Sequence, residues 1–271
     1  RHRSVSRGLG DVYKRQDLSL RAVETLKSVD VIACEDSRTS AKLLEAYGIK
    51  TKLISYHKFN EKQRTKEFLN LIKEGKTIAL ISDAGTPCVS DPGRILVQEL
   101  YIYGTKITAI PGASAITTFV SMVPRDREEF AFFGFLPRVK NQQTKVFEKF
   151  LNTDLVFYES PQRLLETLEN VKASRGSDAK IAVGRELTKL YEEVKTGTVQ
   201  EIIDYYSSAV LKGEIVCLLY AKQDSEQDES EIVEKIKILK SLNYSDKDIS
   251  AILSALFSLN KNKVYKLALT L

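Results

Sequence analysis

The sequence predicts an α/β fold: two α/β domains, the first on a parallel sheet and the second on a mixed sheet, with a small helical tail. Three observations predict it. From residue 17 to about residue 123, short apolar runs alternate with amphipathic stretches, which is a βα pattern. Two of those runs, Thr77–Ile81 and Lys106–Ile110, end in loops rich in glycine and proline. After a charged break at Val123-Pro124-Arg125-Asp126-Arg127-Glu128-Glu129, a second α/β set begins with Phe130–Phe135.

Taken in order, residues 1–16 show neither an apolar strand nor a helical period, and are expected to be a foreign leader outside the fold. Asp17 stands where it can cap a helix whose Ala22, Val23 and Leu26 share a face; Val29–Cys34 follows as a strand. Gly48 and Gly75 mark the ends of the next two helices. Strands over 52–56, 77–81 and 106–110 complete the first sheet. In the second set, strands over 155–158, 180–183, 192–197 and 214–221 join the one at 130–135. Ser160 and Pro161 read as the cap and first residue of a helix with Leu164, Leu168 and Val171 on one stripe. Thr198-Val199-Gln200-Glu201 is a capping box that opens another helix. An acidic, polar linker follows at 223–231, and then three short helices over 232–242, 245–258 and 262–269, similar to a helix-turn-helix. The expected domains are therefore 17–123, 124–222 and a tail of 223–271.

Composition narrows the function classes. The formal net charge is +5, but residues 1–16 hold five Lys/Arg against Asp11, so residues 17–271 carry only +1. Bulk charge is thus no argument for nucleic-acid binding, and any such contact must come from local patches. Cys34, Cys88 and Cys217 are far apart, and His57 is the only histidine after His2, so no metal site is expected. Free thiols suit a reducing, cytoplasmic setting. No run of about eighteen apolar residues is present, so no membrane span is expected.

The two loops carry the chemistry. They run Ser82-Asp83-Ala84-Gly85-Thr86-Pro87-Cys88-Val89-Ser90-Asp91-Pro92-Gly93 and Pro111-Gly112-Ala113-Ser114-Ala115. Glycine lets backbone approach a ligand closely, and proline stiffens the turn. Open α/β sheets bind ligands at the carboxyl ends of their strands, where both loops fall. Glu35, Asp36 and Arg38 end a buried strand on the same rim; they suit either substrate orientation, with Arg38 on a phosphate, or a helix cap with a local ion pair. His57 ends another strand, and Glu159 and the Arg185-Glu186 pair end strands facing the expected interdomain cleft.

Ser82 to Gly93 resembles the S-D-A-G-T-P-x-x-x-D-P-G signature of the tetrapyrrole-methylase superfamily of S-adenosylmethionine-dependent enzymes. Other segments agree in order: Asp17-Leu18-Ser19-Leu20-Arg21-Ala22, Ala33-Cys34-Glu35-Asp36-Ser37-Arg38-Thr39, Ser55-Tyr56-His57 with Asn60-Glu61, Gly134-Phe135-Leu136-Pro137, Phe157-Tyr158-Glu159-Ser160-Pro161 and Arg185-Glu186-Leu187-Thr188-Lys189. The likeness covers about residues 17–271. Within the superfamily it points to the branch that methylates a ribose 2′-hydroxyl of small-subunit ribosomal RNA. The strand and T-P-I-G-N-L turn that open the family have no counterpart in residues 1–16.

The resemblance implies S-adenosylmethionine as cofactor, held by Asp83, Ala84, Gly85, Thr86, Pro87, Pro111, Gly112, Ala113, Ser114 and Ala115. It implies as acceptor a cytidine of the decoding region of 16S ribosomal RNA, in an assembled small subunit, and a homodimeric enzyme. A carboxylate near the hydroxyl could take its proton; Glu35, Asp36, Glu159 and Glu186 are the candidates, with Arg38, His57 and Arg185 as substrate contacts. Two other readings stand beside this one: a C-methyltransferase of corrin or sirohaem precursors, and a non-catalytic RNA- or nucleotide-binding protein.

Overall fold

The computed structural model describes residues 2–5, 17–83, 85–208, 210–222, 229–257, 259 and 261–271, with backbone alone at 2–5 and 229–231. The first sheet is built from β1 (His2–Val5), β2 (Val31–Cys34), β3 (Lys52–Ser55), β4 (Ile78–Ile81) and β5 (Ile107–Ile110). Their spatial order is β3-β2-β4-β1-β5, and every pairing is parallel. Helices α1 (Leu20–Ser28), α2 (Ser37–Ala46), α3 (Glu61–Lys73), α4 (Arg94–Ile102) and α5 (Ala115–Met122) fill the connections.

β2 and β4 are buried at every position because both faces of the sheet are covered. Successive side chains alternate between faces. Ile32, Cys34, Ala79 and Ile81 pack with Leu26, Leu43 and Leu44 of α1 and α2. Val31, Ala33, Ile78 and Leu80 pack with Phe68, Leu96 and Leu100 of α3 and α4.

β1 corrects the expectation that residues 1–16 stay outside the fold. Arg3, Ser4 and Val5 stand opposite Ala79, Leu80 and Ile81 of β4, while His2 to Val5 stand opposite Ile107 to Ile110 of β5. Pairing of this kind is made by backbone groups. Four residues of any polarity can complete two edges that would otherwise leave buried N–H and C=O groups without partners. The Gly8-Leu9-Gly10-Asp11 stretch and the rest of 6–16 lie outside the described residues.

The second sheet contains β6 (Phe130–Phe135), β7 (Asp154–Glu159), β8 (Lys180–Arg185), β9 (Glu193–Thr198) and β10 (Ile215–Leu219), in the order β6-β7-β10-β8-β9. β6 and β7 pair in parallel and the other neighbours antiparallel, so the sheet is mixed as expected. One face is covered by α6 (Lys140–Lys149), α7 (Leu164–Arg175) and α8 (Val199–Ser207). The other face holds Val156, Ala182, Val216 and Leu218 against Phe119 and Val123. Phe119 belongs to α5, so the helix that leaves the first sheet packs on the second. Burying one such phenylalanine is worth roughly 1.5–3 kcal/mol. Both sheets lie in one compact unit that ends at Ala221.

Several local details differ from the sequence pattern. Ser19, not Asp17, caps α1, its hydroxyl accepting the Ala22 N–H at 3.2 Å. α7 begins at Leu164, three residues beyond Pro161, because the N–H groups of Arg163 and Leu164 both close a turn on the Ser160 carbonyl. α6 has no counterpart among the expected elements, since only Val146 and Phe147 interrupt a polar stretch. The capping box at Thr198 and Glu201 forms as read.

Residues Lys222–Leu271 form a second compact unit. It contains α9 (Glu229–Ser241), α10 (Asp246–Phe257) and α11 (Lys261–Thr270) around Ile232, Ile236, Ile249, Leu253, Val264 and Ala268.

Candidate active site

The loop from β4 to α4 turns back on itself twice. Ser82 Oγ donates to the Gly85 carbonyl at 3.2 Å, and Glu61 Oε1 accepts the Gly93 N–H at 2.8 Å. Gly93 has φ +135°, and a Cβ there would lie 2.5 Å from Cys88 Sγ and 2.7 Å from Leu80 Cδ2. Only glycine fits. Cys88 itself has φ +71°, so the segment between Gly85 and Gly93 holds local strain that its neighbours must fix.

This loop and the one after β5 open on a cavity of about 370 Å³. Gly85, Thr86, Val89, Ser90 and Asp91 line it from the first loop, and Ala113 to Ile116 from the second. Across from them stand Phe135, Tyr158 and Glu159 of the second sheet, with Leu187, Thr188, Gly213 and Glu214. Asp17, Leu18 and Leu43 complete the lining among the described residues. The size and mixed lining suit a nucleoside-sized ligand.

The wall at 186–189 is clipped to the segment at 213–214. Glu186 Oε1 accepts the Glu214 N–H at 2.8 Å, and Lys189 Nζ bridges Glu186 and Glu214, the latter at 3.2 Å. Gly213 has φ +94°, and a Cβ there would collide with the Glu186 carboxylate. Burial opposes the Lys189 charge, but Glu186 and Glu214 outweigh it and hold the ammonium above its usual range.

Carboxylates dominate the electrostatics. Burial first, then the charges of Glu35, Asp83 and Glu214, push Asp91 up to about 6, while the Ser82 hydroxyl pulls the other way. Burial and the Asp83 charge raise Glu35, against the Asp83 N–H and His57. Burial, with Asp91 and Glu214 nearby, pushes the Tyr158 phenol up to about 12. The arrangement can align a small ligand, favour positive charge on it and accept a proton.

Of the cofactor residues expected from sequence, Gly85, Thr86, Ala113, Ser114 and Ala115 line the cavity; Ala84 lies outside the described residues. Asp83, Pro87, Pro111 and Gly112 sit in the same loops but are not in the lining. Asp83 joins strand ends instead: its Oδ1 accepts the Asp36 N–H at 3.4 Å.

Of the expected catalytic candidates, only Glu159 reaches the lining. Its buried carboxylate accepts the Ser160 N–H at 2.8 Å and the Thr167 hydroxyl at 2.7 Å, with Arg163 at 3.5 Å. Asp36 caps α2 and pairs with Arg38, whose guanidinium holds the carboxylate below its usual range; the Arg38 side chain is 89% exposed. His57 accepts the Phe59 N–H at Nδ1 within a turn closed by Asn60. Arg185 lies 3.7 Å from Glu193. Asp91, Tyr158 and Glu214 form the part of the site that sequence reasoning missed. Asp91 and Tyr158 belong to the segments Ser82–Gly93 and Phe157–Pro161, but their convergence carries no local signal.

A parallel sheet whose strand-end loops meet a mixed sheet around a nucleoside-sized cavity defines an α/β protein with a site for a small ligand. The family model of tetrapyrrole (corrin/porphyrin) methylases matches residues 5–203. A ribosomal RNA small subunit methyltransferase I of Rickettsia prowazekii is 39% identical over 236 residues, covering 86% of this chain and 84% of that one. Its namesake from Thermotoga maritima is 42% identical over 209 residues, 77% of this chain and 94% of that one. In structure, a uroporphyrin-III C-methyl transferase from Thermus thermophilus complexed with S-adenyl homocysteine superposes with TM-score 0.56 at 18% identity, covering 80% and 96% of the two chains. The chain belongs to the tetrapyrrole (corrin/porphyrin) methylase family, and it is a methyltransferase.

Proposed function

We propose that this protein transfers the methyl group of S-adenosylmethionine to a ribose 2′-hydroxyl of small-subunit ribosomal RNA. The observation that carries this reading is the 39% identity, over 86% of the chain, to a ribosomal RNA small subunit methyltransferase I. The cavity agrees with the cofactor. Gly85, Thr86 and Ala113 to Ala115 line it from the two loops, and the Asp91 carboxylate favours a cation.

S-adenosylmethionine supplies a methyl group on a cationic sulfonium, transferred by in-line displacement. The protein's share is alignment and exclusion of water. Gly85, Thr86 and Ala113 to Ala115 would hold the cofactor, the wall at Leu187 and Thr188 would shut out solvent, and the acceptor hydroxyl would enter beside Asp91 and Tyr158, all of which line the cavity. Alignment of this kind lowers a barrier by up to about 7–11 kcal/mol in favourable cases. Glu35, Asp36, Glu159 and Glu186 shape the rim and walls, and Arg38, His57 and Arg185 offer polar contacts outside the cavity.

The finer reading is a homodimer acting on a cytidine of the decoding region in an assembled subunit, in the cytoplasm. Tyr101 and Ile102, 82% and 71% exposed at the end of α4, offer apolar surface for a partner copy. Free Cys34, Cys88 and Cys217 suit a reducing compartment, and among the described residues no helix is long and apolar enough to cross a membrane. Incubation with labelled cofactor and small subunits, naked ribosomal RNA or a tetrapyrrole precursor tests the reading, with the product mapped by mass spectrometry. A ribose methyl on the subunit is expected; a methyl on a base or a tetrapyrrole overturns it.

A further inference from the structure

We propose that Asp91 is the group that takes the proton of the acceptor hydroxyl during methyl transfer, an inference that rests on the ribose-methylating reading above. Four carboxylates line the cavity among the described residues: Asp17, Asp91, Glu159 and Glu214. Asp17 is an exposed residue at its edge. Glu159 is committed to the Ser160 N–H, the Thr167 hydroxyl and Arg163. Glu214 is paired with Lys189. Asp91 is half-buried, faces the neutral Ser82 hydroxyl, and no salt bridge among the described residues holds it.

Its position is also fixed. It precedes Pro92 and the Gly93 amide that Glu61 anchors, and it follows Ser90, which lies against Gly134 of β6. The carboxylate therefore stands where the β4 loop meets the second sheet, on a braced segment, as a group acting at a reacting atom should. The charged and titratable groups around it are Glu35, Asp83, Glu214 and Tyr158, with Arg94 one turn beyond. These neighbours and burial keep it basic enough to act near neutrality while still mostly ionised.

The step balances as follows. The ribose oxygen forms a bond to the methyl carbon while its proton passes to a carboxylate oxygen of Asp91. The carbon–sulfur bond breaks, and its electron pair stays on sulfur as a neutral thioether. Release of the proton to water restores the carboxylate.

Single-turnover methylation of small subunits by wild-type protein and Asp91→Asn, from pH 5 to 8.5, tests the assignment, alongside calorimetry with S-adenosylhomocysteine. The variant is expected to transfer about 10²–10³-fold more slowly and to bind S-adenosylhomocysteine as wild type does. A rise in rate with pH centred near 6 is expected of wild type, and the variant is expected to lose it. Glu35→Gln supplies a second readout: without the charge that, after burial, does most to raise Asp91, the rising limb should move to lower pH. An Asp91→Asn protein with the wild-type rate, a loss matched by weaker cofactor binding, or a limb that Glu35→Gln leaves in place overturns the role. Wild-type protein that methylates neither the subunit nor its RNA overturns the substrate reading instead, so the wild-type rate separates the two failures.

Discussion

Glu61, the first residue of α3, accepts the backbone N–H of Gly93 at 2.8 Å across 32 residues of sequence, and the same oxygen accepts the Tyr56 hydroxyl at 3.0 Å. The S-Y-H-x-x-N-E segment thus braces the S-D-A-G-T-P-x-x-x-D-P-G loop from the side. Glu61→Ala removes a charge-assisted bond to the Gly93 amide, and should cost about 1.5–3 kcal/mol. Glu61→Gln keeps an acceptor and should retain most of that. Chemical denaturation midpoints of the two variants check the difference, and Glu61→Ala should also slow methyl transfer.

Gly93→Ala should be worse than either. The new methyl meets Cys88 Sγ and Leu80 Cδ2 in a backbone conformation that side chains rarely adopt. Strain and overpacking together should cost at least about 2 kcal/mol. Soluble yield and thermal midpoint are the measurements, and a midpoint equal to wild type would show that the loop can relax.

Asp91 sets up a dependence of stability on pH. Its ordinary value is 3.8 and its folded value about 6, so between these the folded protein keeps a proton that the unfolded chain has released. Stability from this group therefore falls as pH rises through that window, and the cost stays in full above it. Asp91→Asn removes the cost. With solvent screening taken into account, it should raise the thermal midpoint by about 2–4 °C at pH 8 and leave it unchanged near pH 3.5. Scanning calorimetry at both values decides this, and a more stable but slower variant would mark a group kept for chemistry.

Lys189→Met should loosen the cavity wall. The Lys189 side chain is 9% exposed and its ammonium holds Glu186 and Glu214 together, so its loss leaves two carboxylates facing each other. A cost of about 1–3 kcal/mol is expected. Because Leu187 and Thr188 line the cavity, S-adenosylhomocysteine should bind several-fold more weakly, as read by calorimetry. Unchanged affinity would show that the wall does not depend on the clip.

The sequence by itself determined the alternation of elements, the parallel first sheet, the mixed second sheet and the two loops that line the cavity. These follow from local physics: apolar runs the length of a strand, turn residues with fixed backbone preferences, and caps such as Thr198 with Glu201. Tertiary structure decided the rest. β1 between β4 and β5 rests on backbone pairing that side-chain pattern does not report, which is why residues 2–5 read as outside the fold. Glu159 reads as a rim carboxylate, but packing spends it on Ser160, Thr167 and Arg163. Asp91 reads as one letter of a loop signature until Tyr158 and Glu214 are brought beside it. Its basicity comes from lost water and neighbouring charge, and both are set by which distant segments fold against it.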